Sequence, residues 1–518
     1  MEPIVATTSG KVRGASAKGV YVFKGVPYGA STAGENRFMP PVRPPQWDGV
    51  RDALQYGPMA MQNAHRDRTY RRVLHGIYPE VNYPMSEDCL SLNIWSPELG
   101  RENKRPVMVW LHPGGFDIGA GNSDWSEGTN LARKGDVVVV SLNHRLDIFG
   151  FLYLGDMAGA RYQESGNVGM LDIVAALTWV QENISDFGGD PKNVTLFGES
   201  GGGGKVSVLM AMPAAKGLFH KAIIQSGALI RATPREEATP LTLGVLEKLG
   251  ITPGDISKLH QLPPEALLAI PRKYKVRPVV AGRSLPRHPF DPDAPAVSAE
   301  VPMLMGTTGN EATYYCLSDS VPLLNDTNTL RRRLVESFHN FGVADNAVAD
   351  ALIKINHALY PTMSPTEAFI SIGTGIFFDD ATIQAQAKAA AGKAPVFMYL
   401  FTWEAPEYTG SYKSCHTFEI PFVFDNVHAA PQWYESKRDP RLDELATTLS
   451  KAWATFAHRG DPSHSHMPQW SPYTANERAT MILDYACRSV LDPKREQRLE
   501  FEKLRSVRVP RFTTINPS

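Results

Sequence analysis

The chain has 518 residues, 43% hydrophobic and 21% charged, an ordinary globular composition with room for three average domains or one large α/β domain with insertions. A net charge of −1 removes any electrostatic case for nucleic acid or an anionic membrane surface, and no stretch approaches the ~18 apolar residues of a membrane span. Cys89, Cys316, Cys415 and Cys487 are scattered, with no C-x-x-C and no histidine at zinc spacing, which suits a reducing compartment. The N-terminus lacks the basic and apolar regions of a secretory signal, so a soluble, cytoplasmic protein is expected.

Residues 1–60 read as short strands and turns, with Gly10–Gly14 and Val20–Phe23 as a small β-meander and Pro40–Trp47 as irregular surface chain. Arg66, Arg68, Arg71 and Arg72 form a basic patch in a solvated loop, and Leu90–Trp95 is a strand. From Pro106 strands and helices alternate. Val107–Leu111 and Val137–Leu142 are buried strands, and Met170, Ile173, Val174, Leu177, Val180 and Ile184 fall at helical spacing up to the stop at Phe187–Pro191. Val194–Phe197 is the next strand, Lys205–Met212 a helix, and Ala222–Ser226 a further strand. Alternation of this kind predicts a mostly parallel sheet with helices on both faces, and a site beyond the C-terminal strand ends.

Residues 230–300 break the rhythm with short helices at Leu243–Leu249 and Pro264–Ile270 and a Pro-rich loop, an insertion at the mouth of the site. Val301–Gly306 restores the strand pattern. Leu330–Tyr360 is helical in character, Ala381–Ala391 an Ala-rich helix, and Pro395–Phe401 a strand. Leu445, Leu449, Trp453 and Phe456 mark a helix ended by Gly460, and Met481–Asp484 is a late strand.

Three stretches carry chemistry. Gly198-Glu-Ser-Gly-Gly202 matches G-x-S-x-G between a strand and a helix, the turn that exposes a nucleophilic serine hydroxyl. Four successive glycines from Gly201 cost roughly 1 kcal/mol each in a helix, which makes sense where backbones approach closely. A phosphate-binding P-loop is excluded, since Glu199 stands where it needs glycine and Val206 where it needs Ser or Thr. A serine nucleophile needs a base oriented by an acid, in the order Ser, Asp or Glu, His. Glu311 follows one buried strand and His416 another; Asp319 and Asp326 are the nearest alternative acids, further from their strand end. His112-Pro-Gly-Gly-Phe116 follows the first buried strand, and N–H groups of Gly114 and Gly115, with that of Gly201, would form an oxyanion hole. His464-Ser-His466 has no nearby cysteine or carboxylate cluster, so neither metal nor cofactor is expected.

The sequence resembles the type-B carboxylesterases, the carboxylesterase/cholinesterase family of α/β-hydrolases, over Phe23 to near Asp484. The resemblance is carried by Glu87–Trp95, Asn143-His-Arg145, Gly150-Phe151, Gly166-Asn167 with Asp172, Phe187–Pro191 and Phe197–Gly202; bacterial members that cleave p-nitrobenzyl esters are nearest in length and in Trp470–Tyr473. It implies an α/β-hydrolase fold over residues 1–518 as one domain, a triad of Ser200, Glu311 and His416, and a buried polar group of Glu199, Ser226 and Glu419 beside it. It also implies a small-molecule carboxylic ester as substrate. Amide or carbamate cleavage by the same machinery is the alternative. A non-catalytic adhesion relative is a further one, against which stand the intact triad and the lack of secretion and membrane segments. Oligomeric state is not legible.

Departures are equally specific. The family's oxyanion loop usually reads Gly-Gly-Gly, and Pro113 replaces the first; the residue after the serine is usually alanine and here is Gly201. The acid motif Asp-Glu-Gly is Asn310-Glu-Ala312. Cys89 lacks the upstream disulfide partner of secreted relatives, and Pro79 stands where cholinesterases hold a quaternary ammonium with tryptophan, so choline esters are not the expected substrates.

Overall fold

The computed structural model describes residues 2–63, 83–271, 275–316, 324–406, 413–433 and 439–508. The basic patch at Arg66–Arg72, Pro79 and Asp319 lie outside them. Eleven strands form one sheet in the spatial order Arg488–Leu491, Ala479–Leu483, Val396–Phe401, Met303–Thr308, Lys221–Gln225, Gly189–Glu199, Arg105–Leu111, Val138–Leu142, Ser91–Ser96, Val20–Pro27 and Ala15–Ala17. The strands from Ala479–Leu483 to Val138–Leu142 pair in parallel, and antiparallel strands close both edges.

Why the central strands are continuously apolar is visible in where their side chains go. Successive residues of a strand point to opposite faces. Val107, Val109 and Leu111 enter one core with the helices Val168–Asn183 and Gly201–Leu209. Met108 and Trp110 enter another with Thr129–Gly135 and Arg441–Arg459. With helices on both sides, neither face can be polar. A third core joins Thr327–Phe338, Asn346–Leu359 and the long helix Pro365–Ala390.

The expected alternation holds, with corrections. Lys11–Arg13 is not in one meander with Val20–Phe23: it joins Ile4–Ala6 and Val50–Asp52 in a separate three-stranded sheet. The serine helix begins at Gly201 rather than Lys205. The Ala-rich helix begins sixteen residues before Ala381, at a capping box in which Ser364 and Glu367 satisfy each other's N–H groups. Arg488–Leu491 and the helix Arg495–Leu504 were not legible as elements, being short or highly charged. Within 230–300 the chain forms Arg235–Leu249 and Pro264–Leu268, and parallel pairing of Thr233–Pro234 with Val279–Val280 closes the base. No helix among the described residues is long and apolar enough to cross a membrane.

Two buried ion pairs fasten the loops beyond the strand ends. Arg37 grips Glu87 with two bonds of 2.7 and 2.6 Å and donates to the carbonyls of Leu259 and Leu262, tying the N-terminal segment to the insertion. Arg145 meets Asp172 through Nε at 2.8 Å and Nη2 at 2.6 Å, and donates to Met39 O at 2.8 Å. Both charges are almost completely removed from water. Breaking one partner of such a pair leaves an uncompensated buried charge. Asp172→Asn should therefore lower stability by about 3–5 kcal/mol, read as a fall in the unfolding midpoint; an unchanged midpoint would mean that the pair carries no net stabilisation.

Candidate active site

The serine strand runs into Ser200 at φ 53°, ψ −121°, a conformation that a non-glycine residue reaches only under strain. Its N–H donates to Gln225 O at 2.8 Å and its carbonyl accepts from Gly204 N at 2.9 Å, so both neighbouring elements hold the turn. The glycines explain themselves by what a side chain would meet. A Cβ at Gly202 would lie 1.9 Å from Leu111 O, and one at Gly201 would lie 2.2 Å from Gly115 O and 2.3 Å from Gly115 N and Cα. At Gly203 the nearest atom is Gly227 Cα at 2.9 Å. At Gly204 it is a Phe116 ring carbon at 3.6 Å, an ordinary contact.

Gly201 thus presses its backbone on the loop His112–Phe116. There Gly114 has φ 103° and Gly115 φ 65°, and a Cβ at Gly114 would lie 2.3 Å from Ile118 O. Among the described residues the N–H groups of Gly114, Gly115 and Gly201 donate to no acceptor. Three free backbone donors meet where two backbones touch. The loop is fixed from behind by Lys205, whose Nζ donates to His112 O at 3.0 Å. Burial pushes Lys205 down to about 7, with Asp117 opposing. Burial also holds His112 and His144 well below the usual imidazole range, with Lys205 adding to it, and their rings stack 5.1 Å apart.

Glu311 and His416 come together through strand register. Met303–Thr308 and Val396–Phe401 run in parallel, and the chains beyond them stay paired at a bridge between Asn310 and Cys415, one residue before each functional side chain. Gly309 N donates to Phe401 O at 2.7 Å and Asn310 N to Ser414 O at 2.9 Å. The result is a contact of 2.5 Å between Glu311 Oε2 and His416 Nδ1, both side chains buried. Glu311 Oε1 accepts from Ser226 Oγ at 2.6 Å and Thr308 N at 2.7 Å. The Tyr314 and Phe377 rings flank the imidazole at 5.6 and 5.4 Å. With Nδ1 donating to Glu311, the Nε2 lone pair is the free one.

That Nε2 lies 3.3 Å from Glu199 Oε1, and the Ser200 hydroxyl has no hydrogen bond to a described residue. Glu199 is fully buried, and neither of its carboxyl oxygens has a hydrogen-bond partner among the described residues. Burial holds it well above the usual carboxylate range, with Glu419 and Glu311 adding and His416 opposing. Burial works against the His416 imidazolium, but Glu199 and Glu311 outweigh it and push the group up to about 9. The two shifts oppose each other, since a protonated Glu199 no longer favours the cation. The direction for His416 is upward, with the Glu311 contact as its secure cause. Glu419 is pushed up to about 7 by burial and Glu311. Its Oε1 accepts long bonds from Gln225 Nε2 at 3.4 Å and Tyr399 OH at 3.5 Å.

All three members of the expected buried polar group lie here, though Ser226 bonds to Glu311 and not to Glu199 or Glu419. Asp326 is accounted for elsewhere, as the N-cap of Thr327–Phe338. Sequence reasoning missed Gln225, Tyr399, Trp453 and Lys205. A polar residue ending a buried strand signals Gln225, which accepts from Trp453 Nε1 at 3.0 Å; Tyr399 gives no signal apart from the core pattern. Among the described residues no group of three or more His, Cys, Asp or Glu could hold a metal ion.

Comparison with known proteins adds independent information. A family model described as "Carboxylesterase family" matches residues 1–502. The para-nitrobenzyl esterase of Bacillus subtilis (strain 168) is 38% identical over 508 residues, which cover 96% of this chain and 97% of the relative. The phenmedipham hydrolase of Pseudarthrobacter oxydans is 32% identical over 500 residues, 93% of this chain and 95% of the relative. The crystal structure of the Geobacillus stearothermophilus carboxylesterase EST55 aligns with TM-score 0.82 at 37% identity, covering 96% of this chain and 99% of that one.

Two outcomes follow from the site's geometry. Gly204→Ala should be stabilising by about 0.5–1 kcal/mol, whereas Gly202→Ala should cost about 3 kcal/mol or more through backbone overlap; equal effects in thermal unfolding would contradict the packing described. In the pH profile, kcat/KM should rise as His416 loses its proton, with a midpoint above the ordinary histidine value of 6.5. Glu199→Gln removes a carboxyl group that favours the imidazolium, so the midpoint should move to lower pH; an unmoved midpoint would mean that Glu199 stays protonated throughout.

Proposed function

The chain belongs to the carboxylesterase family, and from that premise we propose that it cleaves carboxylic esters through an acyl-enzyme on Ser200, with Glu311 and His416 completing a triad. Residues 1–518 are read as one hydrolase domain, with 230–300 inserted at the mouth of the site. The observation that carries this reading is the contact of 2.5 Å between Glu311 and His416 Nδ1 on loops beyond adjacent strands, on the same side of the sheet as the strained serine turn.

His416 Nε2 takes the Ser200 proton as Oγ forms its bond to the ester carbonyl carbon. For that, the imidazole exchanges its approach to Glu199 for the serine hydroxyl, and catalytic hydrogen bonds commonly tighten only with substrate in place. The carbonyl oxygen becomes an oxyanion, for which the free N–H groups of Gly114, Gly115 and Gly201 are the available donors. Collapse breaks the bond to the alcohol oxygen, which leaves with the proton from His416. Water then enters, gives a proton to Nε2 and attacks the acyl carbon, and the acid departs as Ser200 recovers its proton. Glu311 holds the tautomer and stabilises the imidazolium in both halves.

A fluorophosphonate should label Ser200, and Ser200→Ala should lose on the order of 10⁴ to 10⁶ in kcat. Glu311→Gln should fold normally and lose on the order of 10⁴, while Asp326→Asn should stay near wild type. Label mapping to another serine, or near-normal turnover by Glu311→Gln, would sink the assignment.

A further inference from the structure

Lys205 is completely buried, five residues beyond Ser200 on the serine helix, and forms no ion pair with a described residue. Burying an amine that no carboxylate contacts directly is expensive even with the Asp117 charge nearby, and an apolar side chain of equal length would fill the same space at lower cost. What the lysine does with its position is specific. Its Nζ donates to His112 O at 3.0 Å and stands 5.9 Å from the centre of the Phe116 ring. Those two residues bracket Pro113, Gly114 and Gly115.

The bracket matters because of what lies inside it. The peptide between His112 and Pro113 has no N–H, so the His112 carbonyl is its only polar handle. The next two residues are glycines at positive φ, the most permissive conformers available. Among the described residues their N–H groups find no acceptor, and the neighbouring His112 ring turns inward, Nδ1 lying 2.8 Å from Pro113 O. Downstream the loop is tied at Gly114 O, which accepts from Asp117 N at 3.3 Å and Ile118 N at 3.1 Å, and at Phe116 O, which accepts from Asp147 N at 2.8 Å; upstream the Lys205 bond to His112 O is the tie from outside the loop.

We propose that Lys205 is a positioning residue for ester hydrolysis, clamping the oxyanion loop through the His112 carbonyl so that the Gly114 and Gly115 donors converge with that of Gly201. The inference rests on the proposed oxyanion hole. It explains why a destabilising lysine is kept in the core: stability is given up for a fixed site.

Lys205→Met retains length and removes the donor; Lys205→Gln retains an N–H donor without charge. The test compares kcat, KM, unfolding midpoint and inhibition by a trifluoromethyl ketone, which forms a tetrahedral adduct with the serine. Lys205→Met should unfold at an equal or higher temperature, yet lose on the order of 10- to 100-fold in kcat with KM little changed. Affinity for the ketone should fall by a similar factor, and Lys205→Gln should recover part of both. A merely structural lysine would lower the midpoint and kcat together, with Gln no better than Met, and that result overturns the inference, as does a Lys205→Met enzyme with wild-type kcat and ketone affinity. Ser200→Ala run alongside separates the two readings: if it stays active the chemistry itself is misassigned, and if it is dead while Lys205→Met is normal, only the clamp fails.

Discussion

Two pieces of backbone in contact, Gly201 and Gly115, set the terms for everything around them. Their approach leaves no room for a Cβ, and Gly202 is packed still more tightly on Leu111 O at the end of the neighbouring strand. Each strand delivers its loop at a height fixed by the parallel register, Leu111 opposite Gly198, so the serine turn and the oxyanion loop are forced together by the sheet rather than by side chains. The strain stored at Ser200 is supported from both sides, by Gln225 O and by the helix that begins one residue later. Glycine after the serine, a departure that looks like a loss in sequence, is here one half of a packing arrangement whose other half is Gly115.

Around that backbone lies a second constraint, electrostatic in kind. Three carboxyl groups, Glu199, Glu311 and Glu419, are all fully buried near one histidine. They are not equivalent. Glu311 has a full set of partners in His416, Ser226 and Thr308 N–H. Glu199 has none that donate to it, and Glu419 only long ones. Environment therefore sorts one residue type into a carboxyl group with a full set of partners and two groups for which burial favours the neutral acid.

Much of this was legible in the sequence because it follows from periodicity and punctuation. The buried strands at Val107–Leu111 and Val138–Leu142 show as apolar runs because both faces of the sheet are covered. Ser200 stands out because it directly follows a strand, and Glu311 and His416 because each lies in the chain that leads on from one. The failures have physical causes too. Lys205 sits among Val206, Leu209 and Met210 in an apolar helix, where a lysine reads as an exposed exception; it is the tertiary packing that turns its amine inward to a carbonyl. The helix start at Gly201 runs against propensity, and tertiary packing overrides it. Pro365–Ala390 is buried on most sides, so its first half has no amphipathic rhythm to find.

Between Thr308 and Val396 the chain leaves the sheet, builds the helices of the third core and returns to the adjacent strand. The Asn310–Cys415 bridge brings Glu311 and His416 together at the end of that excursion. The helix Pro365–Ala390 packs back on the pair, its Phe377 ring 5.4 Å from the His416 imidazole and its Thr374 Oγ1 accepting from Ala312 N at 3.4 Å, so register and packing hold it together. A slip of one residue there would displace Glu311 by about 3.3 Å and turn it to the opposite face. The spacing of Glu311 and His416 is thus held by a few hydrogen bonds between neighbouring loops.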